Sequence, residues 1–217
     1  MDSFEKRFFI PPWSGNKLVN LLLKLQNNPH PNIVQMKSLS VENEVVVQFE
    51  ILTPLQTLFP LSEERKISIA YDIANAVLFL ISKKMLDVNM HPRNILVSED
   101  GTAKLGGLYY PISSMTRIDD QKTFKMIPPE LLEKPCDWTE KSTVFMFGCF
   151  LAYLFTERSL FPDEGIMDVL SHVSHGLRPV LPHNLHEGIK DLIHMCWRHD
   201  PEERPTMTDV CDYLKEY

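Results

Sequence analysis

Glycine is nearly absent from the first half of the chain: Gly15 is the only one before Gly101. That excludes a GxGxxG loop near the start, because a backbone cradle for phosphates needs several residues without side chains. Acidic residues are missing from one long stretch, with none between Glu5 and Glu42. A helix formed there has no carboxylate to offer. Apolar runs are short, and nothing approaches the roughly 20 residues needed to cross a bilayer. Met1 to Phe8 carries Asp2 and Glu5 and has no apolar core, so it does not read as a signal peptide. The four cysteines (Cys136, Cys149, Cys196 and Cys211) lack CxxC or Cys/His zinc spacing. They read as free thiols in a reducing compartment. No repeat, low-complexity tract or Gly/Ser linker marks a domain boundary. The formal charge of -7 argues against nucleic acid or an anionic membrane as the main partner. A cytoplasmic location is expected.

What is present reads as a mixed fold. Hydrophobic residues make up 44% of the 217, enough for a substantial core. Lys17 to Leu25 is a short, strongly apolar helix, closed by Asn27, Asn28 and Pro29. Asn32 to Leu39 and Glu44 to Ile51 are rich in β-branched residues and read as paired strands. Ser62 opens a long helix with Glu63 and Glu64 in its first turn, where carboxylates suit the helix dipole. Ile69, Ile73, Ala76, Val77 and Leu80 then recur at helical spacing. Asn94 to Val97 and Thr102 to Leu105 flank the turn Ser98–Gly101 as a hairpin. From Thr139 on, helices are predicted near 142–156, 165–175, 185–198 and 206–216. Strands first and helices afterwards predict an α+β fold.

Several stretches, taken in order, resemble a protein kinase of the tyrosine-kinase and tyrosine-kinase-like branches. His30-Pro31-Asn32-Ile33-Val34 resembles the turn after the family's regulatory N-lobe helix. Asn94-Ile95-Leu96-Val97 and Ala103-Lys104-Leu105 resemble the strands around the catalytic and metal-binding loops. Pro128-Pro129-Glu130 stands where the family has Ala-Pro-Glu, and Phe147-Gly148 falls in a C-lobe core helix. Cys196-Trp197, Asp200-Pro201 and Arg204-Pro205 match the closing signature. The resemblance implies a single domain over 1–217, with a reduced N-lobe at 1–52 and a helical C-lobe at 53–217. It also implies that Glu130 pairs with Arg204 and that Trp197 supplies core area, both structural roles. So few residues precede the hinge-like Glu50-Ile51-Leu52 that the family's first two or three strands have little sequence to form from.

The chemistry of the family needs a phosphate loop, a lysine–glutamate pair, a base aspartate and a metal-binding aspartate. Lys6 and Lys17 do not lie in a Val-Ala-Ile-Lys context. Aligned with the catalytic loop is Asp87-Val88-Asn89-Met90-His91-Pro92-Arg93-Asn94, so Asn89 stands at the base position. An amide does not accept a hydroxyl proton at neutral pH. Aligned with Asp-Phe-Gly is Gly107-Leu108-Tyr109, so the first metal ligand has no side chain. Thr143 stands for the aspartate that braces the loop, while Asn94 is kept and reads as a loop-stabilising hydrogen-bonder. Asp87 and Glu50 read as solvated or capping carboxylates.

The resemblance therefore implies a pseudokinase: no enzyme, no cofactor and no metal, acting by binding another protein. Lys104-Leu105-Gly106-Gly107 is similar to the Lys-Leu-Ala-Gly run of the mixed-lineage kinase domain-like pseudokinases of necroptosis. Stand-alone poxviral homologues in that family sequester a receptor-interacting kinase. The expected function is such a decoy. Two alternatives stand beside it: a scaffold or allosteric regulator of another kinase, and an atypical active kinase. The segment between Gly107 and Glu130 corresponds to the activation loop, with Tyr109, Tyr110, Ser113, Ser114, Thr116 and Thr123 as candidate phospho-acceptors. Leu160-Phe161-Pro162 reads either as an exposed contact or as packing under the next helix.

Overall fold

In the computed structural model, residues 3–9, 15–41, 44–108, 125–133 and 137–217 are described here. The chain begins with strand β1 (Ser3–Phe9) and helix α1 (Gly15–Gln26). Strands β2 (Met36–Val41) and β3 (Glu44–Glu50) follow, and both outer strands pair antiparallel with β3 in the order β1-β3-β2. Leu22 of α1 packs with Val45, Val47 and Phe49 to form a small core of its own. This upper unit is larger than the sequence led us to expect. Ser3–Phe9 does form a strand, with Lys6 in register across from Val47. Its run Glu5-Lys6-Arg7 breaks the apolar–polar alternation that identifies a half-buried strand, so period 2 was not visible.

A second small sheet, β4-β5-β6, joins Thr53–Pro54, Ile95–Val97 and Ala103–Leu105. The β5–β6 hairpin turns at Ser98–Gly101, and Gly101 takes φ +90, a left-handed conformation suited to glycine. The rest is helical: α2 (Glu63–Ser82), α3 (Glu130–Glu133), α4 (Glu140–Thr156), α5 (Ile166–Ser174), α6 (Glu187–Cys196) and α7 (Met207–Lys215). The caps explain the starts. Ser62 accepts from the Arg65 N–H, and Thr139 and Thr206 each form a capping box with the residue three positions on.

Helix α4 is the buried axis: Thr143, Val144, Phe147, Phe150 and Leu151 are all fully buried. Such a helix is hydrophobic all round because neighbours cover every face. Gly148 lets α6 approach, since a Cβ there would lie 2.7 Å from Cys196 Cβ. Among the described residues no helix is long and apolar enough to cross a membrane. Leu160 and Phe161 are buried at 9% exposure each and belong to the main core; only Pro162 of the three is exposed.

Candidate functional site

The site is assembled where the loop after α2, the β5–β6 hairpin and the start of α4 meet. Asn89 is buried and its Oδ1 accepts the His91 N–H at 3.1 Å. A 3₁₀ turn at Pro92–Asn94 then presents Asn94, whose Nδ2 donates to the Asn89 carbonyl at 2.9 Å. The loop is closed by two side-chain amides. Thr143 lies beneath it, fully buried, and its hydroxyl donates to the Leu86 carbonyl at 2.6 Å and the Thr139 carbonyl at 3.1 Å. The contact joins α4 to the loop without charge, and the α4 side chain is the donor. A carboxylate could only have accepted.

Gly107 sits directly over Asn94. Its φ is +70, and an added Cβ would fall 2.5 Å from both Cγ and Oδ1 of Asn94. No unbonded carbon survives at that distance. The amide of Asn94 thus occupies the volume that a carboxylate-bearing side chain at 107 would enter. Gly106 is held just before it, its N–H donating to the Asn94 carbonyl at 2.7 Å. A Cβ on Gly106 would meet Val34 at 3.1 Å and Leu96 at 3.6 Å. Neither position 89 nor position 107 carries a carboxylate, and α1 carries none at all.

Glu50 departs from the expected solvated carboxylate. Its two oxygens take Lys104 Nζ at 2.9 and 3.0 Å, and Oε1 also accepts the Gln35 N–H at 2.6 Å. Both side chains are only about 15% exposed, so the pair is sheltered from solvent screening. It ties the end of β3 to β6, that is, the upper sheet to the lower hairpin. A second tie runs through Asn32, which is buried and donates to the Ala103 carbonyl at 3.1 Å. Asp72 of α2 accepts the Ala103 N–H at 2.8 Å. Burial raises the Asp72 carboxyl above its usual range, against the hydrogen bonds from Ala103 and Asn32. His30 stacks on Phe79 at 4.6 Å, and burial lowers its pKa.

Glu130 and Arg204 are brought together away from this loop. Two parallel N–H···O bonds of 2.8 Å join them, and Ser142 adds a donor to Glu130 Oε1 at 2.9 Å. The other Arg204 donors go to the carbonyls of Arg198, Lys141 and His199, so all five N–H groups are used. The Phe145 ring lies 4.9 Å from the guanidinium carbon. Burial pushes the Glu130 carboxyl up, but the hydrogen bonds and charge of Arg204 outweigh it and leave its pKa lowered. Trp197 is buried beside His194, to which its Nε1–H donates at 3.1 Å. Tyr109, Tyr110, Ser113, Ser114, Thr116 and Thr123 lie outside the described residues.

Sequence reading missed the Glu50–Lys104 pair and the obstruction at Gly107. No local pattern announces either, because the partners are far apart in the chain. The run Lys104–Gly107 with Asn94 ten residues earlier was the only available hint of the second.

A family model described as "Protein tyrosine and serine/threonine kinase" matches residues 15–214. Among curated proteins, the chain is similar to the dual specificity protein kinase shkE of Dictyostelium discoideum, 28% identical over 204 residues. That match covers 86% of this chain and 29% of the relative. It is likewise 28% identical over 182 residues to kinase suppressor of Ras A of Caenorhabditis elegans, covering 75% of this chain and 23% of the relative. Serine/threonine-protein kinase STY46 of Arabidopsis thaliana is 26% identical over 155 residues, 68% of this chain and 26% of that protein. The chain spans about a third or less of the length of these relatives. The small sheet-bearing lobe, the mainly helical lobe and a match over nearly the whole chain lead to one conclusion: the chain belongs to the protein tyrosine and serine/threonine kinase family.

Proposed function

We propose that the chain is a catalytically inactive member of this family whose work is to bind another protein kinase. The observation that carries the reading is the geometry at Gly107. The metal-ligand position not only lacks a carboxylate but is filled by the Asn94 amide, and the base position 89 holds a buried amide. Phosphoryl transfer relies on metal ions and fixed charge to stabilise its transition state. Charge is missing at both positions, which tells against the alternative of an atypical active kinase. What remains well built is structural: the five-donor environment of Arg204, the sealed α4 and the Glu50–Lys104 tie. On this reading residues 1–217 act as one unit, with 1–52 the reduced N-lobe.

The most concrete form of the proposal is a decoy that sequesters a receptor-interacting-type kinase in the cytoplasm and blocks necroptotic signalling. It rests on Lys104-Leu105-Gly106-Gly107 and on the glycine at the metal-ligand position. A scaffold or regulator of a different kinase is the second reading, and similarity to a protein named kinase suppressor of Ras supports it. Two measurements test the proposal. Thermal unfolding with Mg-ATP should show no shift, whereas a nucleotide site filled at 100 times its Kd would add about 2.7 kcal/mol. Purified receptor-interacting-type kinase domain should bind the chain in solution. Binding to other kinases but not to this one would favour the scaffold, and binding to none would refute both.

A further inference from the structure

Charge is divided unevenly along this chain, and two surface sites carry an excess of opposite sign. Residues 6–41 hold Lys6, Arg7, Lys17, Lys24 and Lys37 and no acidic residue, leaving 17 of the 22 basic residues to set against all 29 acidic ones elsewhere. One residue of this basic stretch meets two further lysines at one place. Lys24 near the end of α1 donates from Nζ to the backbone carbonyl of Lys83, just beyond the end of α2. Lys84 follows, exposed, with a left-handed φ of +58. Lys83 Nζ lies 5.3 Å from the Phe79 ring. None of the three lysines has a carboxylate partner among the described residues. Asp87, the next acidic residue, is half-buried. Leu23, 40% exposed, stands beside Lys24 on α1. A cluster of positive charge on a chain of net charge -7 attracts an anionic surface.

The opposite face lies at the start of α5. Asp163 and Asp168 are exposed there, with Glu164 between them paired to His172 at 2.7 Å. Lys125 lies nearby, its Nζ bound to the carbonyls of Phe161 and Glu164. Met167 stands among these carboxylates at 73% exposure. Each site thus carries an excess of one sign with an exposed apolar residue next to it in the sequence, and the signs are opposite.

We propose that these faces are the two halves of a contact between copies of this chain: the Lys24–Lys83–Lys84 face of one molecule against the Asp163–Asp168 face of the next. The contact is head-to-tail, so it leaves a free half at each end and growth beyond a dimer is allowed. It is electrostatic and therefore sensitive to salt. Kinase binding is a separate matter, and this inference does not depend on it.

Sedimentation of the full chain at about 0.05 M and about 0.5 M salt tests the proposal, because the Debye length falls several-fold between them. Wild type should associate at low salt in a concentration-dependent manner and dissociate at high salt. Lys83→Glu/Lys84→Glu and Asp163→Lys/Asp168→Lys should each be monomeric alone. Mixing the two variants should restore association, because each supplies the half that the other has lost. That rescue separates a lost contact from a lost fold. A monomeric wild type at low salt would overturn the proposal. So would association that survives either double charge reversal, or a mixture that stays monomeric. A salt-insensitive oligomer would place the contact on another surface and overturn it equally.

Discussion

At the residue scale, two groups carry most of the weight. Arg204 is almost fully buried with every donor used, so removing Glu130 would leave a buried charge without its counter-ion. Glu130→Ala should cost about 3–5 kcal/mol, read as a lower urea midpoint at unchanged slope. The same carboxyl makes stability depend on pH. Its folded pKa lies below the ordinary 4.5, so its contribution is complete above that value and is lost as pH falls through the lowered one. The acid limb of wild-type unfolding should therefore be steeper than that of Glu130→Gln. Gly107 is the second group. Gly107→Asp must displace the Asn94 amide from its bond to Asn89, with a cost of about 1–3 kcal/mol typical of overpacking. Thermal unfolding of this variant should show a lower midpoint, and magnesium should not restore it.

At the element scale, the helices were legible and one strand was not. Helix α2 shows its period through Ile69, Ile73 and Leu80, and its start through Ser62. Strand β1 has charged residues at its centre, so its pairing with β3 is set by tertiary context that local periodicity does not encode. The start of α4 was read two residues late, at Ser142 instead of Glu140, because Thr139 and Ser142 cap each other reciprocally and either could have opened the helix. Thr139→Ala removes that box and should cost about 0.5–2 kcal/mol in chemical denaturation. Gly148 was recognised as part of a family dipeptide, but its function is steric: it permits the close approach of Cys196 on α6.

At the scale of the whole molecule, polar ties such as Glu50–Lys104 and Asn32–Ala103 join the sheet-bearing and helical parts, and these were the hardest to foresee. Glu50 and Lys104 are 54 residues apart, and neither sits in a pattern that names the other. Position 50 looked like a solvated hinge residue until the fold placed β6 beside it. A double-mutant cycle of Glu50→Gln and Lys104→Met should give a coupling of about 0.5–3 kcal/mol, measured as non-additivity in unfolding free energies. Additive costs would mean that the tie contributes nothing to joining the two parts. The absence of carboxylates at 89 and 107, by contrast, was fully readable, because composition at an aligned position needs no coordinates.

The Asn94–Gly107 contact also bears on which substitutions the loop admits. An aspartate introduced at 107 meets a collision, since Asn94 already fills the space. Asn94 would have to turn aside first, and doing so gives up its bond to Asn89 and loosens the loop. The contact couples the two positions: a side chain at 107 is accommodated only together with a change in the side chain of Asn94.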